Sequence, residues 1–433
     1  MSPIVTGVIG LIALFALMFV GMPIGFAMLL VGSVGFLYIV QLSGALHILA
    51  SIPYGLISNY DYCVLPLFLF MGTIILNAGF GRSLFRLAHV MTGRMPGGLA
   101  VATIFACAVF AAVSSSSIAC ALTIGLIAIP EMRRYKYDDG LAAGAVASGG
   151  TLGILIPPSG VFIIYGIMTE QSIGKLFVAG IIPGFMLALM FIAVIYIRVR
   201  LKPALAPPGQ SFSLKELISA LGGCAEMLAL LLLVLGGLMI GWFTPTEAGA
   251  AGACGAIILA LVRRQLSWQG FKESIIDTVR NTGMIFIILT GALVFNAFFA
   301  VTTIPMELAG WVTALPVPPF VIMLVIFLMY VMLGTFLDEV SMILLTLPVF
   351  FPVVTKLGFD PIWFGVIIVL VVEMGMISPP VGMTMFVVKG IAPDIPIETI
   401  FKGVLPFTIV VALLMILLLV FPQIALFLPR VMG

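Results

Sequence analysis

The chain has 433 residues, of which 63% are hydrophobic and 8% charged, with a formal net charge of +2. An average soluble domain carries roughly 25% charged residues, so this composition excludes a water-soluble fold. Apolar runs long enough to cross about 30 Å of hydrocarbon recur throughout, which leaves no stretch for a sizeable soluble domain and no basic surface for nucleic acid.

The first run, Ile4 to Val20, has no basic n-region and no small-residue cleavage site, and a second run begins near Pro23. It reads as a span, not a signal peptide. Hydropathy punctuated by Gly and Pro predicts spans over 4–20, 24–41, 64–80, 139–168, 173–198, 221–241, 245–262, 281–299, 360–390 and 404–428. Two further apolar segments, 97–132 and 317–354, are each long enough for two helices. Polar residues interrupt both midway, Ser114–Ser117 in one and Gly334–Glu339 in the other, the pattern of a re-entrant hairpin. Cys63, Cys107, Cys120, Cys224 and Cys254 lie in or beside apolar runs without C-x-x-C spacing, so they indicate neither a metal site nor a disulfide framework.

Lys and Arg in short loops gather on the cytoplasmic side. With the first terminus outside, Arg82, Arg86, Arg94, Arg133, Arg134, Lys136, Arg198, Arg200, Lys202, Lys215, Arg263, Arg264, Lys272, Arg280, Lys389 and Lys402 fall inside, against Lys175, Lys356 and Arg430 outside. The first hairpin is flanked by basic residues and opens to the cytoplasm. The stretch from Ala300 to Thr355 contains no Lys or Arg, so the second opens outward.

The two halves repeat one another. Pro130 and Pro157 are 27 residues apart, as are Pro352 and Pro379 (157 − 130 and 379 − 352). The same register pairs Ser116 with Asp338, Pro157-Pro158 with Pro379-Pro380 and Gly160 with Gly382. One inserted residue then pairs Gly180 with Gly403 and Pro183 with Pro406, and a smaller offset pairs Gly72 with Gly291 and Asn77 with Asn296. The copies run in opposite directions through the membrane, so the expected fold is an all-α polytopic membrane protein with inverted repeats. The expected divisions are N-terminal scaffold spans over 1–60, a first repeat over 61–200, middle scaffold spans over 201–281, a second repeat over 282–415, and the end of the last span over 416–433. Inverted repeats with interrupted helices are the architecture of secondary transporters, whose sites lie where the repeats meet.

Proline lacks an N–H and clashes with the preceding turn, so Pro157, Pro158, Pro379 and Pro380 break their helices. Free carbonyls at such breaks suit a sodium ion and free amides suit an anion. In the first copy, Gly149 to Gly160 supplies Thr151 and Ser159 as hydroxyls, with the tip Ser114, Ser115, Ser116 and Ser117 opposite. The second copy has Gly334, Thr335, Asp338 and Glu339 at its tip, with Glu373 and Ser378 before the break and Gly382 and Thr384 after it. A mid-membrane carboxylate costs about 2.5–3.5 kcal/mol on insertion scales and is normally kept for a partner, which singles out Asp338 and Glu373. Glu339 reads equally as a site residue or a solvated one. Glu247, a further carboxylate among the spans, reads first as a helix cap, as does Asp61. His47 and His89 stand alone and give a proton relay nothing to build on. There is no G-x-x-x-x-G-K-[ST] loop, so the chain does not itself hydrolyse ATP.

These motifs, AVSSSSIA, IAIPEMRR, GGTLGILIPPSG, IGKLFVAGIIPG, FTPTEAGA, LGTFLDEVSMILLTLP and EMGMISPPVGMTMF, resemble the large membrane subunit of tripartite ATP-independent periplasmic (TRAP) transporters, the DctM type, over essentially the whole chain. The resemblance implies a sodium-driven, elevator-type carrier of the ion-transporter fold in a bacterial inner membrane. It implies two protein partners, a small four-helix membrane subunit and a soluble periplasmic protein that delivers an organic acid such as a C4-dicarboxylate or sialic acid, and no cofactor beyond sodium as coupling ion. It places one sodium site at Ser114–Ser117 with Gly149, Gly150, Thr151 and Gly153, and a second at Gly334, Thr335 and Asp338 with Met374 to Ser378. The substrate carboxylate falls near Ser114, Ser159, Asp338 and Thr384. A self-sufficient sodium-coupled dicarboxylate carrier without a binding protein is the alternative. A membrane-embedded enzyme is disfavoured because no His or Cys set supports the carboxylates and hydroxyls.

Overall fold

The structure, a computed structural model, describes residues 2–209 and 212–431. Among them the chain forms α1 (Pro3–Phe19), α2 (Ile24–Val40), α3 (Leu42–Ser58), α4 (Val64–Asn77), α5 (Phe80–Thr92), α6 (Gly98–Ser114), α7 (Ser117–Arg134), α8 (Asp139–Leu155), α9 (Gly160–Thr169) and α10 (Ile173–Leu201). It continues through α11 (Leu214–Ile240), α12 (Pro245–Val262), α13 (Trp268–Val301), α14 (Ile304–Ala314), α15 (Pro319–Gly334), α16 (Glu339–Lys356), α17 (Pro361–Met376), α18 (Met383–Ile391), α19 (Ile397–Val420) and α20 (Gln423–Val431). The hairpin segments are α6–α7 and α15–α16, and the broken helices are α8/α9 and α17/α18.

Three helices were not expected. α5 puts Leu84, Phe85, Leu87 and Ala88 inward and Arg82 and Arg86 outward. Such a helix lies along a membrane surface and is too short and polar for a hydropathy window to find. α14 holds the equivalent place in the second copy, so each repeat is a span, a surface helix, a hairpin, a broken helix and a span. α3 joins two helices whose ends both face outward, so it returns to the face it left. The span expected at 281–299 is the last part of the 34-residue α13. The span expected at 404–428 divides into α19 and α20 at Pro422, which cannot continue the first helix.

The two long arms of the breaks form the centre. Every residue of α8 from Gly140 to Leu155 is buried, and α17 is buried from Trp363 through Glu373. A helix apolar on all sides is either packed in a core or faces lipid, and these two are packed in the core. α8 and α19 meet backbone to backbone: a Cβ on Gly144 would collide with the Gly403 carbonyl, and one on Gly403 with the Gly140 carbonyl. Across the copies, the Tyr165 hydroxyl donates to the Pro361 carbonyl at 2.6 Å, and within the second half Trp363 Nε1 donates to the Leu418 carbonyl of α19 at 2.9 Å. On the cytoplasmic side Arg133, at the end of α7, bonds Asp139 at 2.9 Å and Asp394 at 2.6 Å. This clamp joins the first hairpin, the start of α8 and the loop after α18. Arg133 holds the Asp394 carboxyl below the usual carboxylate range.

Candidate substrate and ion site

The first tip turns at Ser115, whose backbone is left-handed (φ 52°, ψ 18°), a conformation few non-glycine residues adopt. Its hydroxyl donates to the Pro158 carbonyl at 2.8 Å, which ties the tip to the helix break. Ser116 caps α7 by accepting from the Ala119 N–H at 3.4 Å, and the Ser114 hydroxyl donates to the Ser116 carbonyl at 3.4 Å. Gly149, Gly150, Thr151 and Gly153 do not form a loop; they are the last helical turns of α8. Their glycines serve close approach. A Cβ on Gly153 would sit 2.8 Å from the Ser116 carbonyl oxygen and 3.0 Å from the Ser117 nitrogen, while one on Gly150 would meet Ala121 and one on Gly149 would meet Cys107 Sγ at 3.0 Å.

The second tip repeats this arrangement with other chemistry. Asp338 caps α16, its Oδ2 accepting from the Ser341 N–H at 3.1 Å. A Cβ on Gly375 would sit 2.7 Å from Gly334 Cα, so the second tip rests on α17 as the first rests on α8. Gly153 and Gly375 are equivalent positions (375 − 153 = 222, as 338 − 116 = 222). Met374 is helical, while Ser378 lies beyond the helix end.

The hydroxyls at both breaks share one orientation. Ser159 donates to the Ile154 carbonyl at 2.5 Å, Thr151 to Ser148 at 2.8 Å, Ser378 to Met374 at 2.5 Å, Thr384 to Met376 at 2.9 Å and Thr335 to Met332 at 2.8 Å. Helix ends leave carbonyls without intrahelical partners, and Ser159, Thr335 and Thr384 take up such carbonyls near the ends of α8, α15 and α17. With the proton committed, each oxygen keeps lone pairs, which suits a cation and not an anion.

Both tips face one cavity of about 570 Å³. Ser114, Ser115 and Ser116 line it from one side and Asp338 and Glu339 from the other, with Gly160 at the start of α9 between them. α4 and α13 close it with Leu65, Phe68, Gly72 and Thr73, and with Asn281, Met284 and Ile288. These two helices are zipped by Thr73 and Thr278 at 3.0 Å and by Asn77 Nδ2 donating to Ser274 Oγ at 2.8 Å. Gly72 lets α4 approach the first tip, since a Cβ there would lie 2.9 Å from the Val113 carbonyl oxygen. The wall contains no Lys or Arg, and its charged residues are Asp338 and Glu339.

Of the residues singled out in the sequence, the cavity therefore gathers Ser114, Ser115, Ser116 and Asp338. Ser159 and Thr384 are fully buried and stand behind its wall. Ser117 is also fully buried, beside Glu339, its hydroxyl short of a regular hydrogen bond. These two residues are equivalent in the repeat (339 − 117 = 222), so the pseudo-twofold axis passes between them. Glu339 is not a solvated surface residue: it lines the cavity, and its Oε2 is enclosed without a partner. Glu373, with both oxygens buried and unpartnered, lies behind it and has Glu339 as its charged neighbour. Glu247 is not an intramembrane site carboxylate. It is exposed and closes a capping box with Thr244, whose N–H donates to it at 2.8 Å. The wall residues Thr73 and Asn281 escaped the sequence reading, and Gly375 entered it only within the stretch Met374 to Ser378. Adding 222 to Gly153 finds Gly375, and Thr73 adjoins the repeat-matched Gly72, whereas nothing local marks Asn281.

The family described as "Tripartite ATP-independent periplasmic transporter, DctM component" matches residues 11–424. The chain belongs to this family. It is 36% identical over 403 residues to the C4-dicarboxylate TRAP transporter large permease protein DctM of Pseudomonas aeruginosa, covering 90% of this chain and 94% of that one. It is 33% identical over 415 residues to the sialic acid TRAP transporter large permease protein SiaM of Vibrio cholerae, covering 96% of each. Among solved structures, the crystal structure of the YdaH transporter of Alcanivorax borkumensis, described as revealing an unusual topology, aligns with a TM-score of 0.60 at 16% identity over 88% of this chain and 89% of that one. That likeness is one of fold. The protein is thus a TRAP-family transport permease of the inner membrane and not an enzyme, with eight helical stretches among the described residues long and apolar enough to cross a bilayer.

Proposed function

We propose that this chain is the large permease subunit of a sodium-driven importer of an organic acid. A periplasmic binding protein delivers the acid, a small membrane subunit completes the complex, and the transport part moves by an elevator mechanism. The observation that carries this reading is the composition of the central cavity. Two hairpin tips share it, it offers hydroxyls and carboxylates, and it has no Lys or Arg to neutralise an anion. An organic acid entering such a cavity needs accompanying cations, and the hydroxyl oxygens at the two breaks, whose protons are committed to carbonyls, are candidate ligands for them. Two relatives are named for a C4-dicarboxylate and for sialic acid, which supports a carboxylate as the cargo.

The test is uptake into proteoliposomes containing the permease with its membrane partner, with the soluble partner and a labelled carboxylate outside. Uptake driven by an inward sodium gradient and absent with potassium is expected. Uptake indifferent to sodium would overturn the coupling, and full uptake without the soluble partner would favour a self-sufficient carrier.

A further inference from the structure

We propose that a second cavity, on the cytoplasmic side of the site, is a release vestibule that takes the anionic group of the departing substrate, with Arg82 as its counter-charge. This cavity holds about 620 Å³ and shares Leu76 and Leu122 with the central one, so the two adjoin. Its side is fixed by the basic loops around it, since Arg82 and the Arg263-Arg264-Gln265 turn belong to the cytoplasmic face. The floor is one face of α7. Ile118 lines the central cavity and Leu122 and Leu126 this one, and at four-residue spacing they are 38%, 44% and 57% exposed, so accessibility along this face rises from the tip toward the cytoplasm.

Arg82 is the one charged residue among the described residues lining this vestibule, with Ser83, Thr123 and Gln265 as its polar company. Three other cytoplasmic arginines are committed, Arg133 to Asp139 and Asp394, Arg198 to the Gly403 carbonyl and Arg263 to Glu226, and the other uncommitted ones do not line this cavity. Among the described residues Arg82 makes no hydrogen bond or ion pair. A solvent-exposed guanidinium attracts an anion weakly and only within a Debye length of about 8 Å, which suits a release step that must not retain its cargo. An anion leaving Asp338 and Glu339 thus moves down a potential that ends at Arg82.

This inference rests on the reading of the cargo as an organic anion, and its test uses no cargo, so the two fail separately. In sealed inside-out vesicles carrying the assembled transporter, Leu122→Cys is labelled with membrane-impermeant thiosulfonates, one anionic (sulfonatoethyl) and one cationic (trimethylammonioethyl). Rates are read at that site by mass spectrometry, and native Cys63, on the outer face, reports vesicle sealing. The anionic-to-cationic rate ratio is expected to fall about 3- to 10-fold in Arg82→Ala, at the low end of electrostatic steering effects. Arg82→Lys keeps the ratio. Arg86→Ala, one turn along the same helix and outside the vestibule wall, leaves it unchanged and controls for general surface charge. Leu126→Cys gives the same reading where Leu122→Cys does not insert. An unchanged ratio in Arg82→Ala, an equal fall in Arg86→Ala, or no labelling of either cysteine from the cytoplasmic side would overturn the proposal.

Discussion

Gly153→Ala tests whether the first tip must seat on α8 for an ion to bind. The added Cβ would stand 2.8 Å from the Ser116 carbonyl oxygen and 2.9 Å from its carbon. Ordinary contact begins near 3.4 Å, so the tip must retreat by about 0.6 Å. Backbone stands on both sides, so no side chain can rotate away. The tip is also held by the bond from Ser115 to Pro158, which stretches as it retreats. Overpacking of this kind costs about 1–3 kcal/mol. If the ion sits between tip and helix, the whole cost falls on the bound state, and sodium affinity drops by roughly 5- to 150-fold. Sodium activation of uptake in proteoliposomes reads this directly, with melting in detergent with and without sodium as a second measure. Gly160→Ala is the control, because its Cβ would lie 3.7 Å from the Ser115 carbonyl oxygen, an ordinary contact. Wild-type sodium activation in Gly153→Ala, or equal damage in Gly160→Ala, would refute the reasoning.

Glu373→Gln is expected to melt no lower than the parent in sodium-free detergent. The native carboxyl is fully buried without any hydrogen-bond partner, so removing its charge forfeits no contact. A melting temperature several degrees lower would mean that a cation or proton donor holds this group. Arg133→Ala is expected to lower the melting temperature at pH 7, with a gap that closes as the pH falls below about 4. The sign follows from Asp394: a carboxyl depressed by Arg133 contributes stability above its unfolded pKa of about 3.9 and loses it as pH falls through the lowered folded value. A gap constant from pH 7 to pH 3, measured by thermal scans of the purified protein, would place the effect of Arg133 elsewhere.

The parts of this molecule legible in sequence are those imposed by backbone chemistry. Proline pairs announce helix breaks wherever they occur, and an apolar run interrupted by four serines or by Gly-Thr-Phe-Leu-Asp-Glu has few membrane solutions. What was hidden depends on distances between segments. Gly149 and Gly153 read as freeing the backbone for a loop, yet they are helical, and their use appears only when the hairpin is laid against α8. Ser159 and Thr384 read as substrate donors because hydroxyls near a break suggest it, while their actual partners, Ile154 and Met376, are five and eight residues away along the bend. α5 eluded hydropathy because half of it faces a polar boundary and α14 because its 11 residues are too few to cross a bilayer, and the walls of the cavity come from α4 and α13, whose only local signal is ordinary span composition.

The distribution of acid between the copies gives the coupling a physical basis under the proposed function. Asp338, Glu339 and Glu373 all belong to the second copy, and their equivalents in the first are Ser116, Ser117 and Thr151 (offset 222). The site therefore pairs a neutral hydroxyl face with an acidic one across the axis where Ser117 meets Glu339. Two like unit charges 4 Å apart repel by about 4 kcal/mol at an effective dielectric near 20. A carboxylate cargo brought against Asp338 and Glu339 without cations meets repulsion of that order, and the same cations that cancel it bind better once the cargo adds its own negative charge. Each ligand raises the affinity for the other by one shared factor, as linkage requires. Coupling of this kind needs no element that senses the ion and signals to a distant substrate site. It needs an acidic cavity without Lys or Arg, which is what the two hairpin tips enclose. Placing a cation there should uncouple the two ligands: Ser116→Lys is expected to bind a carboxylate without sodium in the assembled transporter, by isothermal titration with and without sodium. Retained sodium dependence of binding in that variant would show that the coupling resides in a conformational change and not in the charge of the cavity.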